Sequence, residues 1–251
     1  MKKNELMRLW KAEEAQSFEG WDFSYIQSRY IEAPLPWSYE ETVRSLMEDK
    51  ILLDMGTGGG EFLLSLHPKS GITYATESYP PNIELCQRIL PPHGIELHPI
   101  FKDEELPFHD EFFQLVINRH ESFCSDEVYR ILKPGGCFVT QQVGGQNNKE
   151  LAKKLLGEPQ FIISEDFNLG NMSTELTKSG LHIVRQQEAL QHNRFYDIGA
   201  LVYFAKNLVW EFPDFSVEKC FEPLYELYLK LQQDGYIETI GHRFLIQAIK
   251  E

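Results

Sequence analysis

The chain has 251 residues, of which 42% are apolar and 25% are charged. This composition is typical of a folded globular domain and excludes disordered, collagen-like and coiled-coil chains. The formal net charge is −14. Such a balance makes nucleic acid an unfavoured partner, because affinity for nucleic acids depends largely on Lys and Arg side chains that neutralise phosphates.

The four cysteines are scattered and form no C-x-x-C pair. This pattern is typical of reduced thiols in an intracellular protein and gives no metal-ligand spacing. The first apolar run is too short and too interrupted by charge for a signal peptide. No stretch approaches the ~18 uncharged apolar residues that a membrane span needs. We therefore expect a cytoplasmic protein with no membrane partner.

Short β-rich segments alternate with helix-compatible segments along most of the chain. The predicted strands are 51–54, 72–76, 95–101, 113–117, 137–140, 181–184 and 243–249. The helix-compatible segments between them are 61–66, 81–90, 125–132 and 147–157, and 3–16 and 39–49 precede them. This alternation predicts an α/β fold: a Rossmann-like, doubly wound, seven-stranded and mostly parallel sheet with helices on both faces.

We expect one domain over residues 1–251, with two additions to its core. The core spans 46–190 and 236–251, an N-terminal helical cap spans 1–45, and a helical insertion spans 191–235 before the last strand. Within the insertion, Asp197 is predicted to cap one helix and Gly235 to end a second.

A glycine-rich loop follows the first predicted core strand and opens a helix. It reads Asp54-Met55-Gly56-Thr57-Gly58-Gly59-Gly60-Glu61. Glycines allow the backbone to turn tightly and to approach a ligand closely. A loop in this place lies at the carboxyl edge of the sheet, where doubly wound folds bind nucleotides.

The acidic residues around this loop favour a cationic ligand over a dinucleotide. The fingerprint G-x-G-x-x-G requires a third glycine where this chain has Glu61, and a carboxylate there would repel a pyrophosphate. S-adenosylmethionine (SAM) carries a sulfonium and an ammonium group and no phosphate, so it suits this loop. Glu77, which ends the second core strand, is placed to accept both hydroxyls of a ribose.

Four sequence blocks together resemble the class I SAM-dependent methyltransferases. They are Leu53-Asp54-Met55-Gly56-Thr57-Gly58-Gly59-Gly60, then Glu77, then Glu104-Glu105-Leu106-Pro107-Phe108 before Phe112-Phe113-Gln114-Leu115-Val116, and Leu132-Lys133-Pro134-Gly135-Gly136. They are similar to the family's D/E-x-G-x-G-x-G, strand-two acid, "LPF…FDLV" and "LKPGG" blocks, in the family's order, over about 50–140. Residues 1–45 and 191–235 are outside the resemblance.

The resemblance implies roles for individual residues toward SAM. Gly56, Thr57, Gly58 and Gly60 would cradle its methionine and ribose portion. Asp54 would hold the ammonium end through nearby groups or water, and Glu77 would bind the ribose hydroxyls with Ser78 beside the adenine. Where the family often has an Asp for the adenine amino group, this chain has Lys102 followed by Asp103, and we expect Asp103 in that role. Asn118, Arg119 and His120 would line the reactive end.

The end of the central strand also offers a candidate for a catalytic base. An oxygen or nitrogen acceptor that must lose a proton needs a base for methyl transfer. The candidate is His120, which is followed by Glu121 at the end of a central strand. The alternative is that His120 only shapes the cofactor pocket. The pair is not a zinc motif, because Cys124 stands where H-E-x-x-H requires its second His.

Aromatic residues are concentrated in the two additions. Residues 18–39 and 195–215 contain 14 of the 32 aromatic residues, so we expect an aromatic-lined lid over a small-molecule pocket. The alternative is packing of the added helices on the core. Tyr30, Trp37, Tyr196 and Trp210 are the predicted pocket-lining residues.

The leading hypothesis is a SAM-dependent methyltransferase for a small, partly apolar acceptor. The alternatives are a methyltransferase for RNA or protein, a non-catalytic SAM-binding protein, and an NAD-dependent oxidoreductase, against which Glu61 argues. The sequence leaves the acceptor atom and the oligomeric state open.

Overall fold

A computed structural model describes residues 1–18 and 23–251 of the chain. Trp21, one of the aromatic residues of segment 18–39, lies outside the described residues. The chain divides into two units. Unit 1 comprises Met1–Leu35, Gly144–Phe167 and Ala189–Arg243, and unit 2 comprises Pro36–Val143, Asn168–Glu188 and Phe244–Glu251. The predicted division into cap, core and insertion stays a prediction.

The described residues form one eight-stranded sheet. Its strands are β1 (Tyr30–Ile31), β2 (Leu52–Met55), β3 (Thr73–Glu77), β4 (Ile95–Pro99), β5 (Phe113–Arg119), β6 (Leu132–Val143), β7 (Leu181–Phe195) and β8 (Ile237–Lys250). Their order in the sheet is β1-β7-β8-β6-β5-β2-β3-β4. The mostly parallel α/β fold is confirmed. The predicted count of seven strands is wrong by one, because the two-residue β1 pairs antiparallel with the end of β7 and is too short to show an alternating pattern.

The parallel part of the sheet positions the glycine-rich loop. Strand β2 pairs in parallel with β3 and with β5, β3 pairs in parallel with β4, and β5 with β6. All four residues of β2 are buried, which explains why this strand is a continuous apolar run that ends in an acid. Parallel strands bring their carboxyl ends to one edge of the sheet, so the residues after β2, β3 and β5 lie together.

Nine α-helices occur among the described residues. They are α1 (Lys3–Glu14), α2 (Tyr39–Arg44), α3 (Glu61–Ser65), α4 (Pro80–Ile89), α5 (Ser125–Ile131), α6 (Lys149–Leu156), α7 (Leu169–Lys178), α8 (Ile198–Asn207) and α9 (Phe221–Asp234). Helix α7 was not predicted from the sequence, although Asn168 caps it by accepting a hydrogen bond from the Asn171 backbone N–H at 3.0 Å. Strands β6, β7 and β8 are longer than the predicted segments.

Unit 1 has its own apolar core, built largely around α8. Eight consecutive residues of this helix, Ile198 through Ala205, are buried, so α8 is enclosed on all sides. The predicted cap is confirmed: the Asp197 carboxylate accepts a hydrogen bond from the Ala200 backbone N–H at 2.8 Å. The predicted end of α9 is also confirmed, because Gly235 follows it with φ of +80°.

Candidate functional site

The loop between β2 and α3 is held against β3 by its backbone. The Thr57 N–H donates to the Thr76 carbonyl at 2.9 Å, and the Gly56 N–H donates to the Thr76 hydroxyl at 3.2 Å. Gly56 and Gly58 adopt φ of +70° and +62°, a region that residues with a Cβ rarely enter. These torsions explain the glycine pattern, and Gly60 completes it as the N-cap of α3.

The space around the two glycines differs. A Cβ on Gly58 would meet no heavy atom of the described residues within 4 Å, so this residue faces open space. A Cβ on Gly56 would lie 2.3 Å from Cγ of Glu121. The Glu121 side chain therefore lies across the loop at Gly56, while Gly58 leaves room for a ligand to approach the backbone.

Asp54 is a buried acid at the end of β2, only 4% exposed. Burial raises its pKa from 3.8 to about 6, and the charge of Glu77 acts in the same direction. The Thr57 side chain and the Arg119 charge oppose this rise. An acid kept in such surroundings destabilises the folded chain when it is charged, which is typical of functional sites.

Glu77 ends β3, and its carboxylate is oriented by the backbone that follows it. The backbone N–H groups of Ser78 and Tyr79 both donate to its Oε1 at 2.9 Å. Since both bonds end on Oε1, the second oxygen can accept hydrogen bonds from a ligand. The Glu77 residue is 4% exposed, whereas Ser78 beside it is exposed.

Asn118, at the end of β5, is fully buried and its side chain is engaged within unit 2. Its Oδ1 accepts hydrogen bonds from the Thr140 hydroxyl at 2.9 Å and from Gln142 Nε2 at 2.6 Å. Its Nδ2 lies 3.4 Å from the carbonyl of Met55. These contacts tie β5 to β6 and to the start of the glycine-rich loop, so Asn118 shapes the site from beneath.

The next two residues are exposed at the same sheet edge. The Arg119 guanidinium lies over the Phe62 ring, 4.2 Å from its centre. His120 has a φ of +60°, and its backbone N–H donates to the Gln141 carbonyl at 2.8 Å. Its ring Nε2 lies 3.2 Å from Nε2 of Gln141. A non-glycine residue with positive φ is uncommon and draws attention to this position.

Acidic groups dominate the electrostatics of this edge. The pKa of Glu121 is raised by burial and by the negative charges of Glu77 and Asp103. Asp103 is therefore close enough to Glu121 for their charges to interact. The Lys102 ammonium, in contrast, pairs with Glu105 at 3.2 Å on the surface. The edge thus suits a positively charged ligand and disfavours a phosphate.

Sequence reasoning missed two aromatic residues of this edge. Tyr79 directly precedes α4 and is 60% exposed, and Phe101 follows β4 and is 79% exposed. The Ile100 backbone N–H, next to Phe101, donates to the Glu77 carbonyl at 3.0 Å, so the backbone of both aromatic residues lies close to Glu77. The signal available in the sequence was their position, two residues after the ends of β3 and β4.

The four predicted pocket-lining residues have different environments. In unit 1, Tyr30 stacks on Phe195 with ring centres 4.4 Å apart, and Trp210 packs against the core. Tyr196 is 39% exposed. Trp37, in unit 2, is 8% exposed and donates its indole N–H to Gln141 Oε1 at 2.8 Å. Packing therefore accounts for much of the burial of Tyr30 and Trp37.

No helix among residues 1–18 and 23–251 has both the length and the apolar composition of a membrane span. A search of curated proteins finds no match to this sequence. A family model described as "Methyltransferase domain" matches residues 53–140, the segment that carries the glycine-rich loop and strands β3, β4 and β5.

Solved structures share the fold at low sequence identity. The YcgJ protein from Bacillus subtilis is 18% identical, with 84% of this chain and 97% of that chain covered and a TM-score of 0.56. A geranyl diphosphate methyltransferase in complex with SAM is 15% identical, with 84% of each chain covered and a TM-score of 0.50. The [4+2]-cyclase SpnF is 13% identical, with 98% of this chain and 92% of that chain covered and a TM-score of 0.52.

At these identities the likeness establishes the fold alone, and the matched family model adds the domain type. Residues 53–140 match the methyltransferase domain model, which supports the resemblance to class I SAM-dependent methyltransferases that the four sequence blocks carry.

Proposed function

We propose that the protein binds SAM at the carboxyl edge of β2, β3 and β5 and transfers its methyl group to a small, partly apolar acceptor. The observation that carries the proposal is the buried Glu77 carboxylate, fixed through Oε1 by two backbone N–H groups beside an open glycine loop. An oriented acceptor of this kind matches two adjacent ribose hydroxyls. The surrounding acids match a ligand with positive charge and no phosphate.

The residues present fit SAM in charge and in space. Gly56, Thr57, Gly58 and Gly60 would cradle its methionine and ribose portion, with the open backbone at Gly58 as the point of approach. Asp54 would attract the ammonium group, while Glu77 would accept the ribose hydroxyls. These assignments follow the chemistry of the loop and the open space at Gly58.

The adenine would stack on an exposed aromatic residue near Glu77. Tyr79 and Phe101 are both exposed, and exposed aromatic rings offer stacking surfaces to a base. Ser78 would lie beside the adenine, and Asp103 would accept a hydrogen bond from its amino group. Arg119 and Asn118 would shape the end of the pocket near β5.

Bound SAM supplies an activated methyl group, and the chain aligns the acceptor and excludes water. Where the acceptor must lose a proton, His120 is the base candidate from the sequence, and the alternative is that it only shapes the cofactor pocket. The assignment of Tyr30, Trp37, Tyr196 and Trp210 to an acceptor pocket stays a prediction from the sequence. The net charge of −14 supports a small molecule over RNA as the acceptor.

Titration calorimetry with SAM, S-adenosylhomocysteine and NADH tests the cofactor assignment. We expect micromolar binding of both sulfur nucleosides and no binding of NADH. The matched variants are Glu77→Gln, which keeps shape and removes charge, and Glu96→Gln, which makes the same change on an exposed side chain. Binding of NADH alone, or equal SAM affinity in both variants, would contradict the assignment.

Methyl transfer then needs its own assay. Radiolabelled SAM is incubated with pooled small molecules, with total RNA and with denatured protein. Label transfer to the small-molecule pool supports the proposed acceptor class. Transfer to RNA or protein would replace that class, and SAM binding without any transfer would favour a non-catalytic SAM-binding protein.

A further inference from the structure

Three side chains of unit 2 form a hydrogen-bonded chain that ends at the ring of His120. The Trp37 indole N–H donates to Gln141 Oε1 at 2.8 Å, and Gln141 Nε2 lies 3.2 Å from His120 Nε2. Trp37 and Gln141 are 8% and 6% exposed. The chain therefore runs from a buried ring to an exposed one at the carboxyl end of β5.

The donor at the start of this chain fixes the direction of every bond in it. An indole nitrogen can only donate, so the amide oxygen of Gln141 must face Trp37. The amide NH₂ of Gln141 must then face His120 and donate to its Nε2. A ring nitrogen that accepts carries no proton, which assigns the proton of the neutral imidazole to Nδ1.

Backbone contacts hold the same two residues together. The His120 backbone N–H donates to the Gln141 carbonyl at 2.8 Å, and Arg119 pairs with Gln141 in the parallel register of β5 and β6. His120 adopts this position at a φ of +60°. Such a conformation persists where surrounding contacts determine it, and it is often found at functional sites.

We propose that Gln141, oriented by Trp37, is a positioning residue that holds His120 as a neutral imidazole with its proton on Nδ1. A proton added at Nε2 would place an N–H against the NH₂ of Gln141, so two donors would face each other. His120 therefore accepts no proton from the acceptor at Nε2 while this bond is intact. In the reaction it acts as a neutral polar group, and the acceptor's proton leaves by another route.

Two charged side chains adjoin His120 in the sequence, and among the described residues each of them contacts another group. The Arg119 guanidinium lies over the Phe62 ring, and the Glu121 side chain crosses Gly56. The role of His120 in the reaction rests on the proposed methyltransferase function, whereas the assignment of its tautomer does not. The two therefore fail in different experiments: cofactor titration tests the function, and a spectroscopic assay of the free protein tests the tautomer.

Long-range proton–nitrogen correlation NMR reads the tautomer of each histidine directly. The signals of His120 are assigned by their loss in His120→Gln. At pH 8 we expect an unprotonated, pyridine-type Nε2 and a protonated, pyrrole-type Nδ1 in the wild-type protein. Free histidine favours the opposite tautomer, so this pattern indicates a donor at Nε2 or an acceptor at Nδ1, and the Gln141 and Trp37 variants distinguish the two.

Gln141→Glu is the decisive variant because it keeps the shape and reverses the hydrogen-bonding character. A carboxylate accepts from both Trp37 and His120, so we expect Nε2 to become protonated. Gln87→Glu adds the same charge on an exposed residue of α4 and should leave the pattern unchanged. Trp37→Phe removes the indole donor and should allow both tautomers.

The proposal is overturned by a protonated Nε2 in the neutral wild-type ring, or by an unchanged pattern in folded Gln141→Glu. If Gln141→Glu does not fold, the wild-type spectrum and Trp37→Phe still decide the question. In that case, the appearance of the Nε2-protonated form beside the Nδ1-protonated form in Trp37→Phe supports the proposal. Retention of the Nδ1-protonated form alone contradicts the role of Trp37.

Discussion

Asp54 makes the folded protein less stable at neutral pH, and its replacement by Asn should reveal this directly. Burial raises the Asp54 pKa from 3.8 to about 6. Because the folded-state value is the higher one, the folded chain binds the proton more tightly than the unfolded chain. The protonated Asp54 carboxyl stabilises the folded state fully below pH 3.8. This stabilisation is lost as the pH rises through 6.

The magnitude follows from the two pKa values. A rise from 3.8 to about 6 corresponds to about 3 kcal/mol of free energy of unfolding, since each pH unit is worth about 1.4 kcal/mol. We expect Asp54→Asn to be more stable than the wild type by up to about 3 kcal/mol at pH 8. At pH 4.5 the same linkage relation gives a difference of only about 1 kcal/mol.

Urea unfolding of both proteins without ligand, at pH 4.5, 6 and 8, measures this difference. Glu84→Gln, an exposed carboxylate on α4, is the control and should give a difference near zero at each pH. Asp54→Asn should bind SAM more weakly than the wild type, because stability and function oppose each other at such a site. A difference that stays constant from pH 4.5 to 8 would refute the reasoning.

Three further variants test separate parts of the structure. Gly58→Val should abolish SAM binding in calorimetry, because its side chain would fill the open space over the loop; unchanged affinity would mean the ligand lies elsewhere. Glu77→Ala should weaken SAM binding by about 1–3 kcal/mol through lost charged hydrogen bonds, with unfolding curves as the control for folding. Glu211→Gln should lower the free energy of unfolding of the chain by about 1–3 kcal/mol. The side-chain NH₂ groups of Asn147 and Asn148 donate to the two Glu211 oxygens at 2.7 and 2.6 Å. In the variant the NH₂ of Gln would face one of these donors. Equal stability of the two proteins would count against this network.

The order of elements and the place of the cofactor loop could be predicted from local sequence. Strand β2 is short, apolar and wholly buried, and the glycines that follow it occupy backbone torsions that few other residues adopt. The caps of α8 and α9 are equally local signals. Local patterns succeed here because strand burial, turn torsions and caps depend on neighbouring residues.

Other features were missed because their signals are weak or distant. Strand β1 has two residues and exists only through its pairing with β7, more than 160 positions away. Helix α7 begins with Leu169-Gly170-Asn171, which are poor indicators of a helix start apart from the Asn168 cap. The full lengths of β7 and β8 also exceed what their apolar patterns indicate, because polar residues alternate within them.

The sequence by itself determined the α/β order, the acid at the end of β3 and the glycine-rich loop, because each is encoded within a few consecutive residues. Only the tertiary structure decided how the side chains of these segments are used. It placed Glu121 across Gly56, engaged Asn118 with Thr140 and Gln142, and joined Trp37 through Gln141 to His120. Hydrogen bonds of this kind connect residues 21 to 104 positions apart, with a partner and direction fixed only when the strands pair.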